Sequence, residues 1–571
     1  MIRSAALVAL LALAPAARAD TPDPLRFVSA KAGFFLKVER PRALAEVVTG
    51  LDAVRAAPTL GPVRDVLDGP VVRRGLQLLG FVERELGAKW PELLDQLAGG
   101  GAVVAGTLGE GNQPALLVVQ GTEEVAVRKG FDLLIRALDD ELARQGSKEK
   151  VGRGTQAGVD TARLGKDFFA ARVGAALLIS NRAEVLASAL AQPTDRAGSL
   201  AVKPSVAAAR GALPADPLAW VWVDFAAVRS AQATRDFLDS TRNDFLFQMV
   251  LGGTMASLRQ SDFVAAGLHR EGRGLRFAVR LPGGRGGFPD GYALHTPAAG
   301  GPGSLPLLEP PGVVYSQSFY LDFGHAWAKR GDLFTAEMVG QLDKANADLS
   351  KLLPGSAKFG ELLEAWGPHH RLVVVNRPTQ PYKTTPGQAL PGFGYVASAR
   401  DPRFLTGVPA TIRAAGLVAS LQLGLKMTET THDGVKIVGW RFPENKALDG
   451  DPDGLRFNFE PCFAVVGDSL VVASTVDVCK ALIPEVKRTA TLPGGAAVWR
   501  GKGYAAGAAD ALAAVPEPFI TDAVLRNGVG LADARKQVDA LTAWVRGLGT
   551  ARAELDIGRD VYRADVIWEP K

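Results

Sequence analysis

The chain of 571 residues has two cysteines and six histidines, and neither type clusters. Two cysteines cannot staple so long a chain, which excludes a disulfide-built fold. They are not spaced as Cys-x-x-Cys, so the usual dithiol and zinc-ribbon sites are excluded as well. His269, His295, His325, His369, His370 and His432 form no His-Glu-x-x-His pattern. The adjacent pair His369-His370 precedes a strand and would point to its two opposite faces, which is poor geometry for holding one metal. No concentrated basic patch occurs either: the net charge is +5, or +3 without Arg3 and Arg18, and cations alternate with anions, as in Glu83-Arg84-Glu85. Nucleic acid is therefore excluded as a partner. The Gly99-Gly100-Gly101 run lacks the lysine and hydroxyl of a phosphate loop, and no cofactor is expected.

A leader is present. Arg3 supplies a positive start, Ala5 to Ala14 an apolar run, and Ala17-Arg18-Ala19 a small-x-small cleavage site, so residues 1–19 read as a signal peptide. The apolar run is about half the roughly twenty residues needed to span a bilayer. No later segment approaches eighteen uninterrupted apolar residues, so no transmembrane anchor is expected after cleavage. The protein is expected to be exported, to a periplasm or beyond the cell.

A tandem repeat organises the rest. Residues 167–190, DFFAARVGAALLISNRAEVLASAL, align without gaps on residues 460–483, EPCFAVVGDSLVVASTVDVCKALI, at an offset of 293. Both copies read as strand, tight turn, strand and helix. Flanking elements recur in the same order. Gly33 to Glu39 matches Gln317 to Phe323, Leu93-Leu94-Asp95 matches Leu362-Leu363-Glu364, and the long helix Glu123 to Gln145 matches Pro402 to Leu423. Closing hairpins span Phe263 to Leu281 and Ala551 to Trp568. The expected plan has larger units at 20–192 and 312–488, smaller units at 205–282 and 496–571, and a Gly/Pro-rich linker at 283–311. Consecutive strands with polar-apolar alternation predict an α+β fold of antiparallel sheets with helices packed on one face. With its leader, its A-B-A-B plan and strings such as Ala175-Ala176-Leu177-Leu178-Ile179-Ser180, the chain resembles a set of large exported bacterial tandem-repeat α+β proteins known as domains of unknown function. That resemblance implies an architecture and no activity.

The repeat also serves as an internal control for motifs. Gly467-Asp468-Ser469-Leu470 matches the signature of a class of serine esterases, but no histidine follows His432, and the aligned turn in the first copy is Gly174-Ala175-Ala176-Leu177. A hairpin turn is the better reading. Cys462 aligns with Phe169 and Cys479 with Leu186, which predicts two buried core positions. A disulfide from the hairpin to its helix is the alternative, since an oxidising compartment favours it. The loop 377–391, with Arg377, Tyr382 and Lys383, is the largest insertion of one copy over the other and the first candidate for a binding site. These readings favour a non-catalytic binding or scaffold protein of the cell envelope, whose partner is a protein, an envelope component or an apolar ligand. An extracytoplasmic hydrolase whose site assembles only in three dimensions is the alternative.

Overall fold

A computed structural model describes residues 22–571 except 109–112, 157, 193–195, 231, 241–243, 299, 352, 354–357, 377–380 and 449. The expected leader thus lies outside the described residues. The fold is α+β, with 47% helix and 27% strand, and every resolved strand pairing is antiparallel. Contacts divide the chain into two compact units. The first comprises the chain up to Gly50 with 66–228 and 262–269; the second comprises 51–65, 229–261 and 270–571.

In the first unit the strands are β1 (Phe34–Val38), β2 (Ala102–Gly106), β3 (Ala115–Gln120), β4 (Gly152–Gln156), β5 (Val159–Leu164), β6 (Phe168–Val173), β7 (Ala176–Ser180), β8 (Ala219–Asp224) and β9 (Phe263–Glu271). They hydrogen-bond in the order β9-β8-β1-β2-β3-β7-β6-β5-β4. Alternate residues face the helices. Phe35, Val103, Val118 and Leu178 are fully buried, and Leu36 and Val104, one position along, are exposed. The Phe35 ring lies 4.7 Å from Trp220 and 5.9 Å from Trp222. Helices Glu124–Arg144 and Ala183–Ala191 cover β6 and β7.

The second unit holds β10 (Gly274–Pro282), β11 (Val313–Tyr320), β12 (Trp366–Val375), β13 (Gly392–Ala399), β14 (Lys426–His432), β15 (Val435–Arg441), β16 (Cys462–Val466), β17 (Ser469–Ala473), β18 (Trp499–Tyr504), β19 (Thr550–Ile557) and β20 (Val561–Glu569). Their order is β10-β20-β19-β18-β11-β12-β13-β17-β16-β15-β14. From β19 to β14 this path repeats, strand for strand, the path from β9 to β4 in the first unit. The tight turns agree too: Gly174 and Gly467 both take left-handed backbone, at φ of 56° and 59°, a conformation that favours glycine.

Two features concern the stretch between the expected halves. The Gly/Pro-rich stretch 283–311 is no loose tether, because Leu294 and Leu308 are fully buried and Tyr292 packs with Met249, Leu321 and Leu333. The division into units does not fall there either, since β10 pairs with β20 along its whole length. Apolar residues set among prolines and glycines drive this packing, and composition alone hid them.

Candidate ligand pocket

In the first unit a cavity of about 250 Å³ opens between the segment Phe27–Ala32, the ends of β2 and β3, and helix Ala183–Ala191. Each wall has a local cause. Asp23 caps the short turn Pro24–Phe27, accepting from the Leu25 amide at 2.8 Å, and this turns Leu25, Phe27 and Val28 inward. The Ser180 hydroxyl donates to the Ala115 carbonyl at 2.7 Å and accepts from the Arg182 amide, which ties the start of the helix to β3. The floor is Phe27, Val28, Ala105, Leu116 and Ala189, each no more than 4% exposed. At the mouth stand the exposed side chains of Lys31, Thr107, Glu184 and Ser188.

The cavity lies just below the ~300–1,000 Å³ of drug-sized sites, and suits a short apolar chain or a single ring. The mouth carries one cation, Lys31, one anion, Glu184, and the hydroxyls of Thr107 and Ser188, which suits an amphipathic ligand with a polar end and selects neither sign of charge. The floor carries no titratable group and can hold an apolar portion, while Lys31 and Glu184 stand at the mouth. Two larger cavities occur in the second unit. One, of about 540 Å³, is walled by glycine and proline backbone with Arg285 and Asp556. The other, of about 420 Å³, is bordered by Pro311, Asn376, Ala389, Leu390, Pro391 and Asp510. Its lining also includes Ala511, Ala514 and Val515.

The residues singled out in the sequence lie elsewhere. Arg377 falls outside the described residues, and Lys383 is exposed. Tyr382 is 6% exposed and hydrogen-bonded within the fold. Its hydroxyl donates to the Phe459 carbonyl at 2.8 Å and accepts from the Phe442 amide at 3.0 Å, with the ring 5.2 Å from Phe457 and under the Arg441 guanidinium at 4.9 Å. Burial raises its pKa, so this tyrosine anchors the loop. The loop borders the 420 Å³ cavity through Ala389, Leu390 and Pro391 instead.

Cys462 and Cys479 are both thiols in a dry core, 3% and 0% exposed, and the Cys462 thiol faces Cys479. Their mutual contact and burial hold Cys462 far above the ordinary thiol range, so it is no thiolate nucleophile. Ser469 begins β17 behind the Gly467-Asp468 turn, is buried, and donates to Asp468 Oδ1 at 3.1 Å. Among the described residues no group of three or more His, Cys, Asp or Glu is placed to hold a metal. His370 is fully buried; its Nε2 faces the Leu321 carbonyl at 2.9 Å and its Nδ1 the Tyr395 hydroxyl at 2.6 Å. Burial lowers its pKa to about 4.

Sequence reasoning missed the cavity because its walls come from residues near 30, 105, 115 and 185, each of which reads as ordinary core or turn. Compared with known protein families and with curated proteins, the chain matches none. Among solved structures, crystal form I of TP0453 matches at a TM-score of 0.23 and 7% identity, covering 46% of this chain and 78% of that one. Crystal form III of TP0453 matches at 0.23 and 10% identity, covering 46% and 79%.

Proposed function

We propose that the chain is an exported, non-catalytic binding protein of the cell envelope, built by internal duplication, which takes a small apolar or amphipathic ligand in the cavity beside helix Ala183–Ala191. The observation that carries this reading is a buried apolar floor with polar groups only at the mouth. The leader at residues 1–19 supports export, and the repeated strand order supports duplication.

Ser188 lies on the exposed side of that helix, so a large ring at this position fills the mouth without disturbing the core. Ser188→Trp is expected to weaken binding of the amphipathic dye anilinonaphthalene sulfonate at this site by roughly tenfold or more, with an unchanged melting temperature. Equal titrations for the two proteins, with nothing apolar released when the purified chain is denatured for mass spectrometry, would overturn the reading.

Export would also carry Cys462 and Cys479 into an oxidising compartment. Both are thiols buried in the structure, so two alkylatable thiols are expected after unfolding without reductant. A mass two hydrogens below that of the reduced chain would show instead that they bridge before the helix docks.

A further inference from the structure

Helix Pro402–Leu423 is long and apolar enough to cross a membrane by length and composition, yet only 11% of its most apolar window is buried. Its inner face is committed to the fold. Phe404 and Pro409 are buried, and Gly416 lies so close to Trp440 that a Cβ there would come within 2.3 Å of the indole. In this fold the helix is packed on the sheet through that face, and its outer face is the one left exposed. That face is apolar. Leu417, Val418 and Leu421 are 65%, 54% and 82% exposed, at the spacing of one helical stripe, and Met427 at the start of β14 is 55% exposed. Exposed apolar residues grouped in this way mark an interaction surface.

Charge selects among occupants. Between Pro402 and Lys426 there is no aspartate or glutamate, against three cations, Arg403, Arg413 and Lys426. Of the neighbouring carboxylates, Asp401 pairs with Arg403 at 3.0 Å, Glu429 takes both Arg413 at 3.2 Å and Lys436 at 2.7 Å, and Glu444 accepts from the Thr384 amide and hydroxyl at 2.8 and 2.9 Å. Lys426 remains as surplus positive charge where the stripe ends. Lys446 adds to it, its ammonium 3.7 Å from where a Cβ on Gly424 would stand. An apolar stripe ending in a cationic cluster is the pattern of a helix lying in the plane of a lipid interface.

We propose that the outer face of helix Pro402–Leu423 docks on an anionic lipid surface, with Leu417, Val418 and Leu421 among the acyl chains and Lys426 and Lys446 at the headgroup phosphates. The inference is independent of the ligand pocket, which lies in the other unit.

The test is co-sedimentation of the chain from Asp20 onward, which retains every described residue and omits the leader's own apolar run. Vesicles of phosphatidylglycerol and phosphatidylethanolamine are expected to bind it roughly tenfold more than phosphatidylcholine vesicles, and high salt to reduce the difference. Leu417→Asp combined with Leu421→Asp should lower that binding by about tenfold or more. Circular dichroism melting should be unchanged, since both positions are exposed. The proposal is overturned if the chain ignores anionic vesicles or the double variant binds as well as the parent. It is equally overturned if sedimentation velocity shows a dimer that the double variant dissolves, which would assign the face to a second copy of this chain.

Discussion

Lowering the pH from 6.5 to 4 is expected to remove on the order of 6 kcal/mol of stability from the second unit, about 3 kcal/mol from each of two buried histidines. Burial takes both His295 and His370 from an ordinary 6.5 to about 4. Above 6.5 each is neutral whether folded or unfolded, and its full contribution is present. As pH falls between 6.5 and 4, the unfolded chain takes up protons that the folded one refuses, so stability drops, and the loss is complete below about 4. The surroundings explain the refusal. His370 is ringed by Phe319, Phe323, Trp366 and Tyr395, and its neutral form already satisfies both nitrogens. The charged groups near it are His369, which opposes protonation, and Asp322, which favours it weakly and is bound to Arg400 at 2.5 Å. His295 hydrogen-bonds the Gln248 backbone, and its Nε2 has no partner among the described residues. Urea titrations at pH 7 and 4.5 measure the effect. His370→Gln should remove about half of the pH dependence, and an undiminished slope in that variant would assign the acid sensitivity to carboxylates instead.

Leu482→Ala is expected to cost about 2–5 kcal/mol. Leu482 is fully buried on helix Val476–Thr489, which seals a core formed with Val373, Val396, Ile437, Val471 and Cys479. One strand residue faces it directly: a Cβ on Gly394 of β13 would stand 2.2 Å from Leu482 Cδ1. Gly394→Ala alone should therefore overpack the site and cost about 1–3 kcal/mol. Placed in the Leu482→Ala background the added methyl enters the space left vacant, so the two costs should fall short of additivity by at least about 0.5 kcal/mol. Strict additivity in a double-mutant cycle of denaturant midpoints would show that the helix sits differently on β13.

Period and turn chemistry carried much of the fold. The helix expected over Pro402 to Leu423 occupies those residues, the one expected over Glu123 to Gln145 runs Glu124–Arg144, and the closing hairpin expected over Phe263 to Leu281 appears as β9 and β10. Apolar alternation was plain there. It was weak in Lys426–His432 and Gly152–Gln156, polar edge strands that no periodicity announced and that pairing with β15 and β5 holds in place. Tyr382 shows the same limit from the other side. Among prolines and polar residues it reads as an exposed loop aromatic, and only the carbonyl of Phe459 and the amide of Phe442, more than sixty residues away at their farther end, decide that it is an anchor.

By itself the sequence determined the α+β class, the antiparallel hairpins and the apolar character of Cys462 and Cys479, because backbone period, turn residues and side-chain size are local properties. Tertiary structure alone decided where the cavity lies, which face of helix Pro402–Leu423 stays bare, and that His295 and His370 are sealed from water. Each of those depends on segments distant in sequence meeting at one place, and burial is a property of the meeting and not of any residue in it.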